Sequence, residues 1–525
     1  MSSSKTSTVP QRVISRLIAS ALADPQLPRP NPTEAFWQVP VSNISRHQSS
    51  KLPPSTTYAI IGSGVTGCSV AKNLLENLPV DSKATVTVFE ARALTSGATG
   101  RNGGHLLSPL PEEFTLMEKH YGTEETIKMA KFANRTLDKM HGLAENADPE
   151  LSKAAEVRKV RTVTGYRTKE LFEEAKASQR RYEECLPEFK GDHEAFDGEE
   201  AVTKLNMKNT AGVIVNTAGA FWPYRLITGL FDRLLQQHSS RFALETETPV
   251  TSVSHDATTD PEHPYILTTP RGTIRASKVI YCSNGWTGHL LPKLRGKIFP
   301  LRGTMSTQEA GPDLPREGGQ KSWSVLDKPT YDASDDTFSY GLYYITQNAR
   351  TGDVFIGGEK QKADEMLSSY DTTISQVSKE TLEEILPTIF EKGWPENEKP
   401  HVKKLWSGIM GFTPDHVPWV GNIPASVTGR KGDGEYIAAG FNGYGMPLCW
   451  GCGEAVAKMM LGKGEEVSGW LPGSFEITER RLRSPYSTVE AAVVGLLEGQ
   501  LGAVEKGFLA WRFVANYARR MVFGV

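Results

Sequence analysis

The sequence predicts an α/β fold, and three observations carry the prediction. The run Tyr58-Ala59-Ile60-Ile61 has the length and β-branching of a buried strand. Val70, Ala71, Leu74 and Leu75 follow it at helical spacing, and a second apolar run, Ala84 to Phe89, comes next. A hydrophobic content of 38% with 48 Gly and 32 Pro suits a loop-rich protein of this class.

Gly62, Gly64 and Gly67 stand between the first strand and its helix in G-x-G-x-x-G spacing. Gly62 permits the tight turn, Gly64 lets backbone approach a pyrophosphate, and Gly67 lets the helix lie close to the strand. The free N–H groups and dipole at the helix start attract phosphate. Glu90 closes the second strand roughly 20 residues further on, where an acid accepts ribose hydroxyls. Together these predict a Rossmann-like dinucleotide site that includes Ser63. The alternative is a βαβ unit without a ligand.

After Glu90 come Ala91 and Arg92, then the loop Ser96-Gly97-Ala98-Thr99-Gly100-Arg101-Asn102-Gly103-Gly104-His105. So small and polar a loop suits backbone pressed against a flat ring. It resembles the G-A-S-G-R-N-G-G loop of the D-amino-acid-oxidase-like (DAO) FAD oxidoreductases, in particular their γ-glutamylputrescine oxidase and glycine oxidase branch. The resemblance implies FAD, with this loop along the isoalloxazine ring. It implies cofactor contacts at Ala91, Arg92, Gly97, Ala98, Thr99, Arg101, Asn102, Gly103 and Gly104.

At 525 residues the chain holds two or three domains' worth of core. A net charge of −2 argues against nucleic acid as a partner. Five scattered cysteines suggest a reducing compartment without a disulfide framework, which points to the cytoplasm. No apolar run is long enough to span a bilayer. Residues 1–23 carry Lys5, Arg12 and Arg16 with no acid, and Val13, Ile14, Leu17, Ile18 and Leu22 share one helical face. That is either a mitochondrial presequence or a short amphipathic helix on a mobile terminus.

The resemblance extends over most of residues 57–465 and implies an FAD domain discontinuous in sequence, interleaved with a substrate domain of mixed sheet plus cap helices (α+β in its mixed part). Residues 1–55 read as a proline-rich arm whose Phe36-Trp37 lies across the body. Residues 56–110 form the first FAD segment, and 111–205 hold cap helices over 112–145 and 168–190. Residues 206–299 form the second FAD segment. There Pro223 opens a helix, Phe221 and Trp222 face either substrate or core, and the strand at Val250 passes the adenine. Ser283, Asn284 and Gly285 form a turn on the pyrophosphate side.

Residues 300–400 return to the substrate domain, with a hairpin turning at Asn348–Gly352. Tyr340 and Tyr344 are substrate candidates there, although aromatic strand residues are commonly core. A helix is expected over 371–391. Residues 401–470 complete the FAD domain. Gly411 lies in the return strand, followed by Thr413-Pro414-Asp415-His416, with Asp415 and His416 as substrate candidates. Asn442-Gly443-Tyr444-Gly445-Met446-Pro447 resembles the family's last FAD segment, with a helix opening at Pro447 and aimed at the flavin. Residues 471–525 include an amphipathic stretch over 488–521, with Val493, Leu497, Leu501, Val504, Phe508 and Trp511 in a stripe and Arg512, Arg519 and Arg520 late. Packing on the body, a dimer interface and peripheral membrane contact share that reading.

The implied reaction is oxidation of a C–N bond in a small amine or amino acid, with hydride passing to flavin N5 and oxygen taking the electrons as hydrogen peroxide. Two alternatives stand beside it: an amine dehydrogenase or demethylase with another electron acceptor, and an FAD-bearing partner subunit without turnover. Arg101, His105 and Tyr444 are the catalytic candidates. In some members FAD is attached through a cysteine ahead of the T-P-D strand, where Gly408 stands here; in others a histidine in the first flavin loop serves, where Arg101 stands. Non-covalent FAD is therefore expected. Cys449-x-x-Cys452 has no second pair to complete a zinc site and reads as helix packing.

Overall fold

The computed structural model describes residues 8–396, 398–497 and 509 and shows two sheets. The first has the strand order Trp419–Asn422, Glu435–Ala439, Gly272–Tyr281, Ser55–Ile61, Val86–Phe89, Phe242–Glu245. All neighbours run parallel except Trp419–Asn422, which is antiparallel to Glu435–Ala439. Strand residues alternate between two apolar layers. Ile60, Val86, Val88, Ile280 and Ala438 pack with the helices on one face, and Ala59, Val279, Tyr281, Ile437 and Ala439 pack on the other. Burial on both faces is what a parallel sheet requires, and it explains why these strands read as continuous apolar runs.

A meander, Ser252–His255 and Tyr265–Thr269, leads into Gly272–Tyr281. The expected strand at Val250 begins two residues later, at Ser252, and Val250 itself is buried just before it.

The second sheet has the order Val402–Phe412, Phe299–Gln308, Val354–Lys362, Thr337–Gln347, Lys321–Leu326, Arg158–Tyr166, Gly212–Ala220, His105–Leu106. Lys321–Leu326 and Arg158–Tyr166 are parallel, and the other pairings along this order are antiparallel. The expected hairpin turn is closed by Asn348, whose Oδ1 accepts from the Arg350 and Thr351 N–H groups. The cap helices are Leu110–Tyr121, Thr123–Glu145, Pro149–Ala155 and Lys169–Cys185. The helix expected over 371–391 is instead two short ones, Gln376–Glu384 and Leu386–Ile389, with Pro387 in the first turn of the second, where no N–H is required.

The N-terminal arm belongs to the core. Helix Gln11–Leu22 buries Val13, Ile14, Leu17, Ile18 and Ala21 against Phe299, Leu301, Met366, Val489 and Val493, while Leu22 is exposed. The reading as a mobile terminus is corrected by this burial. Trp37 stacks on Phe355 with ring centroids 4.2 Å apart, so the arm does lie across the body. At the other end, helix Val489–Leu496 packs on that same core, and Val493 and Leu497 are buried. Leu501, Val504, Phe508, Trp511 and the three late arginines lie outside the described residues, as does Lys5. Among the described residues, no helix is long and apolar enough to cross a membrane.

Candidate active site

The carboxyl ends of the parallel strands open onto a cavity of about 650 Å³ lined by both sheets. At one end is the glycine turn. Gly62 has φ +114°, and a Cβ there would lie 2.6 Å from the Cys282 carbonyl oxygen. A Cβ on Gly67 would lie 1.9 Å from the Gly62 carbonyl oxygen, so only glycine lets helix Val65–Asn77 sit this close to its strand. Gly64 has no side chain to cap that helix; Val65 N donates to Thr99 Oγ1 (3.1 Å), and Gly64, Val65 and Thr66 line the cavity at the positive end of the helix dipole. The Glu90 carboxylate accepts from Ser63 N (3.1 Å), Ser63 Oγ (2.7 Å) and Arg92 N (3.0 Å), and lone pairs remain for ribose hydroxyls.

The loop after Glu90 is clamped from several sides. Asn102 Nδ2 donates to the Ala98 and Thr99 carbonyls, and its Oδ1 accepts from Gly104 N. Thr346 Oγ1 donates to the Gly103 carbonyl (2.8 Å), Trp406 Nε1 to that of Arg101 (2.8 Å), and Trp37 Nε1 to that of Asn102. The last two glycine loops are stitched together: Asn284 Oδ1 accepts from Gly440 N (3.1 Å), and Asn442 Oδ1 from Thr413 N (2.8 Å). Asn284 and Asn442 take φ +44° and +53°, a region that asparagine tolerates.

The residues present fit a bound dinucleotide that carries a flat ring. The shape requirement is met by the glycines, the electrostatic one by the start of helix Val65–Asn77, and the hydroxyl-binding one by Glu90. The DAO sequence profile, described as FAD dependent oxidoreductase, matches residues 57–459. The chain belongs to the DAO family. This DAO-family protein is 24% identical over 458 residues to a probable oxidoreductase of Rhizobium meliloti, covering 82% of this chain and 91% of that protein. It is 23% identical to the γ-glutamylputrescine oxidoreductase of Escherichia coli, covering 83% and 91%. Among solved structures its fold is shared with glycine oxidase from Geobacillus kaustophilus, with TM-score 0.57 and 18% identity over 81% of this chain and 99% of that one. L-proline dehydrogenase from P. horikoshii gives TM-score 0.59 and 18% identity over 81% and 97%. The protein is an FAD-dependent oxidoreductase.

Most of the cofactor residues expected from the DAO motifs line the cavity: Gly62, Ser63, Gly64, Glu90, Ala91, Arg92, Gly97, Ala98, Thr99, Arg101, Asn102, Gly103, Val250, Ser283, Asn284, Asn442, Gly443, Tyr444, Gly445 and Met446. Gly67, Gly104, Gly285 and Gly411 are not in its wall. Each instead allows a close backbone approach: Gly67 to Gly62, Gly104 to Phe221, Gly285 to Met410, and Gly411 to Asn284 Oδ1. The helix expected to open at Pro447 opens at Cys449, because the Leu448 and Cys449 N–H groups turn back onto the Gly445 carbonyl. Cys449 and Cys452 are both buried, and burial pushes the Cys449 thiol up to about 12.

Of the catalytic candidates, His105, Tyr444 and Arg101 all line the cavity. Burial, with Arg158 nearby, pushes His105 down to about 4, so its ring is neutral; its Nε2 is sealed without a hydrogen-bond partner. Burial first, and then Glu113 and Glu112, hold the Tyr444 phenol protonated. Arg101 differs from the other two candidates in the number of its protein partners. Its guanidinium is occupied by the Ser96 carbonyl (2.8 Å), the Ser407 carbonyl (2.7 Å) and Thr33 Oγ1 (3.2 Å), with Asp371 at 3.8 Å.

Tyr340, Tyr344 and His416 line the cavity; Trp222 and Asp415 do not. Trp222 is a core residue, its Nε1 donating to the Trp37 carbonyl (2.7 Å) within a cluster with Trp37, Phe355 and Met305. The Asp415 carboxylate is held by Arg481 Nε (2.8 Å), Arg481 Nη2 (2.9 Å) and Ser487 Oγ (2.9 Å), which ties down the C-terminal segment.

Several cavity residues went unnoticed in the sequence. Gln26, Leu27 and Pro28 bring the N-terminal arm to the cavity wall. Glu112 and Glu113 line the cavity from the first turn of helix Leu110–Tyr121. The one available signal was two adjacent acids directly after Pro111, close behind the flavin loop.

Proposed function

We propose that this protein oxidises the C–N bond of a small amine or amino acid, with molecular oxygen as the final electron acceptor. One observation carries the reading: a single cavity joins the dinucleotide-binding glycines to a polar wall on the second sheet. The names of the relatives, γ-glutamylputrescine oxidoreductase and glycine oxidase, point the same way. Bound FAD would supply the acceptor for the hydride from the carbon bearing the nitrogen; water would then hydrolyse the imine to a carbonyl compound and ammonia or an amine, and oxygen would take the electron pair as hydrogen peroxide.

The chain's own residues orient and shelter the reacting carbon. The clamped loop 96–104 would form the face against which the ring rests, and Tyr344 packs directly on Gly103, where a Cβ would lie 2.7 Å from its ring. His105, neutral at physiological pH, can exchange one hydrogen bond with the substrate without repelling a positively charged amine. Tyr444 keeps its phenol proton, so its O–H can donate to the substrate while its oxygen can still accept. Alignment of this kind, more than a strong general base, is what such chemistry asks of a protein.

The FAD is held without a covalent bond, since Gly408 offers no nucleophile and Arg101 is bound up in its own network. The FAD domain is drawn from residues 56–110, 206–299 and 401–470 and the substrate domain from 111–205 and 300–400, with His105–Leu106, Gly212–Ala220 and Val402–Phe412 crossing from the first group into the second sheet. The five unpaired cysteines favour a reducing compartment, with the cytoplasm first and the mitochondrial matrix as the alternative.

The test is peroxide release by purified holoenzyme on a panel of amines and amino acids, with anaerobic bleaching of the flavin measured in parallel. Bleaching and peroxide together support the oxidase. Bleaching without peroxide in air would replace it with a dehydrogenase, and no bleaching by any amine would refute C–N oxidation. Flavin that stays on the denatured chain would refute the non-covalent assignment.

A further inference from the structure

The wall of the cavity beyond the flavin loop carries two acids and unpartnered hydrogen-bonding atoms. Glu112 and Glu113 reach it from the helix Leu110–Tyr121. Tyr166 Oη donates to Glu112 Oε1 (3.1 Å), and Thr164 also bonds this carboxylate, which fixes it against the strand Arg158–Tyr166. Two residues before Thr164 on that strand, and so on the same face, stands Thr162. It is 3% exposed, it lines the cavity, and its Oγ1 has no hydrogen-bond partner. Its register partner on the neighbouring strand is Asn216, which also lines the cavity and whose Oδ1 is likewise sealed without a partner.

Buried polar atoms are almost always paired, because an orphaned one costs about 1–3 kcal/mol. Two such orphans stand side by side on one cavity wall beside two glutamates: Asn216 Oδ1 can be satisfied only by a donor, and Thr162 Oγ1 can take one as well. The cationic side chains in the described lining are Arg92 and Arg101. Both are turned to other work: Arg92 Nη1 pairs with Asp371 Oδ2 at 2.9 Å, and Arg101 with the Ser96 and Ser407 carbonyls. A substrate carboxylate on this wall would face two glutamates with no guanidinium to receive it. An ammonium group, with one positive charge and three N–H donors, matches the wall in both charge and hydrogen bonding.

We propose that Glu112, Glu113, Thr162 and Asn216 form a subsite for a second, non-reacting ammonium group, so that the substrate is an α,ω-diamine or polyamine and not an amino acid. The proposal rests on the C–N oxidation reading above and adds to it the chemical class of the substrate's far end. The strand rise places Thr162 about 7 Å from Thr164, so the acceptors span a region that one ammonium and its adjoining methylene can fill. Glu113 is exposed, but to the interior of the cavity. Enclosure by its walls, and then the charge of Glu112, push its carboxyl up to about 7, a cost that a bound cation relieves.

The experiment compares three substrates of one chain length on the holoenzyme: an α,ω-diamine, the monoamine, and the ω-amino acid. The expected result is kcat/KM for the diamine at least about tenfold above both others, carried by KM and not kcat, as a charge-assisted contact made equally in ground and transition state demands. Glu113→Gln and, as a milder change, Thr162→Val should each shrink the diamine-to-monoamine ratio, with flavin content and melting temperature reporting that the variants are folded. Calorimetric titration of the chemically reduced, anaerobic holoenzyme measures binding without turnover, and there the diamine should bind at least about tenfold more tightly than the monoamine. Equal use of diamine and monoamine, preference for the ω-amino acid, or a ratio untouched by both substitutions would overturn the subsite. Failure of the underlying reading looks different: no amine bleaches the flavin, and the binding titration then decides the subsite by itself.

Discussion

Replacing Asp371 with alanine should destabilise the whole protein and loosen the flavin loop. The Asp371 side chain is 0% exposed and sits between two guanidiniums that are themselves buried, Arg92 at 5% and Arg101 at 1%. Arg92 Nη1 donates to both carboxylate oxygens, at 2.9 and 3.1 Å. The Asp371 carbonyl also receives the Thr33 N–H (2.7 Å), so the arm, the flavin loop and the second sheet's connecting segment meet here. Removing the carboxylate leaves two uncompensated cations in the interior. Breaking one buried pair in this way costs about 3–5 kcal/mol. An unfolding entropy of about 2.1 cal/mol/K per residue, scaled to 525 residues, gives about 1.1 kcal/mol/K, so the melting temperature should fall by about 3–5 °C. The assay is thermal unfolding of the holoprotein at matched FAD concentration, with flavin content measured on the same sample. Adding Arg92→Met should recover part of the loss, because it removes one stranded charge. A fall of under about 1 °C with full flavin content would refute the view that this triad holds the loop.

Gly67→Ala should leave protein that folds but purifies with little flavin, since its Cβ would lie 1.9 Å from the Gly62 carbonyl and push the helix off the pyrophosphate site; the flavin-to-protein absorbance ratio checks it. Leu17→Ala should cost about 2–5 kcal/mol by opening a cavity in the core shared by helices Gln11–Leu22 and Val489–Leu496, measured by denaturant unfolding. KM for a diamine should fall as pH rises through about 7. The Glu113 carboxyl is raised to that value by enclosure and by Glu112, so it is neutral below and anionic above, while Tyr444 beside it stays protonated and the ω-ammonium stays charged. Steady-state kinetics across that range, with Glu113→Gln as the flat control, test the sign.

Some of this protein is legible in the chain alone because the interactions concerned are local. The turn at Gly62, the helix it opens and the acid at Glu90 lie within one βαβ unit, where spacing dictates geometry. The buried stripe of Gln11–Leu22 is likewise a property of helical period, although period does not say whether the apolar face meets a membrane, a targeting receptor or, as here, Phe299 and Val493. The tertiary structure decided which partner each polar residue takes. Arg92 finds Asp371 across 279 positions of sequence, and Asp415 turns from the substrate candidates to Arg481. Trp222, a candidate for the pocket, is drawn into the core by Trp37, and Glu112 and Glu113, indistinguishable in sequence from an exposed helical face, become a cavity wall only because the second sheet stands opposite them. Charge and aromaticity set what a side chain can bind. The long-range packing of two sheets decides whether it meets water, core or substrate, because that depends on residues hundreds of positions away.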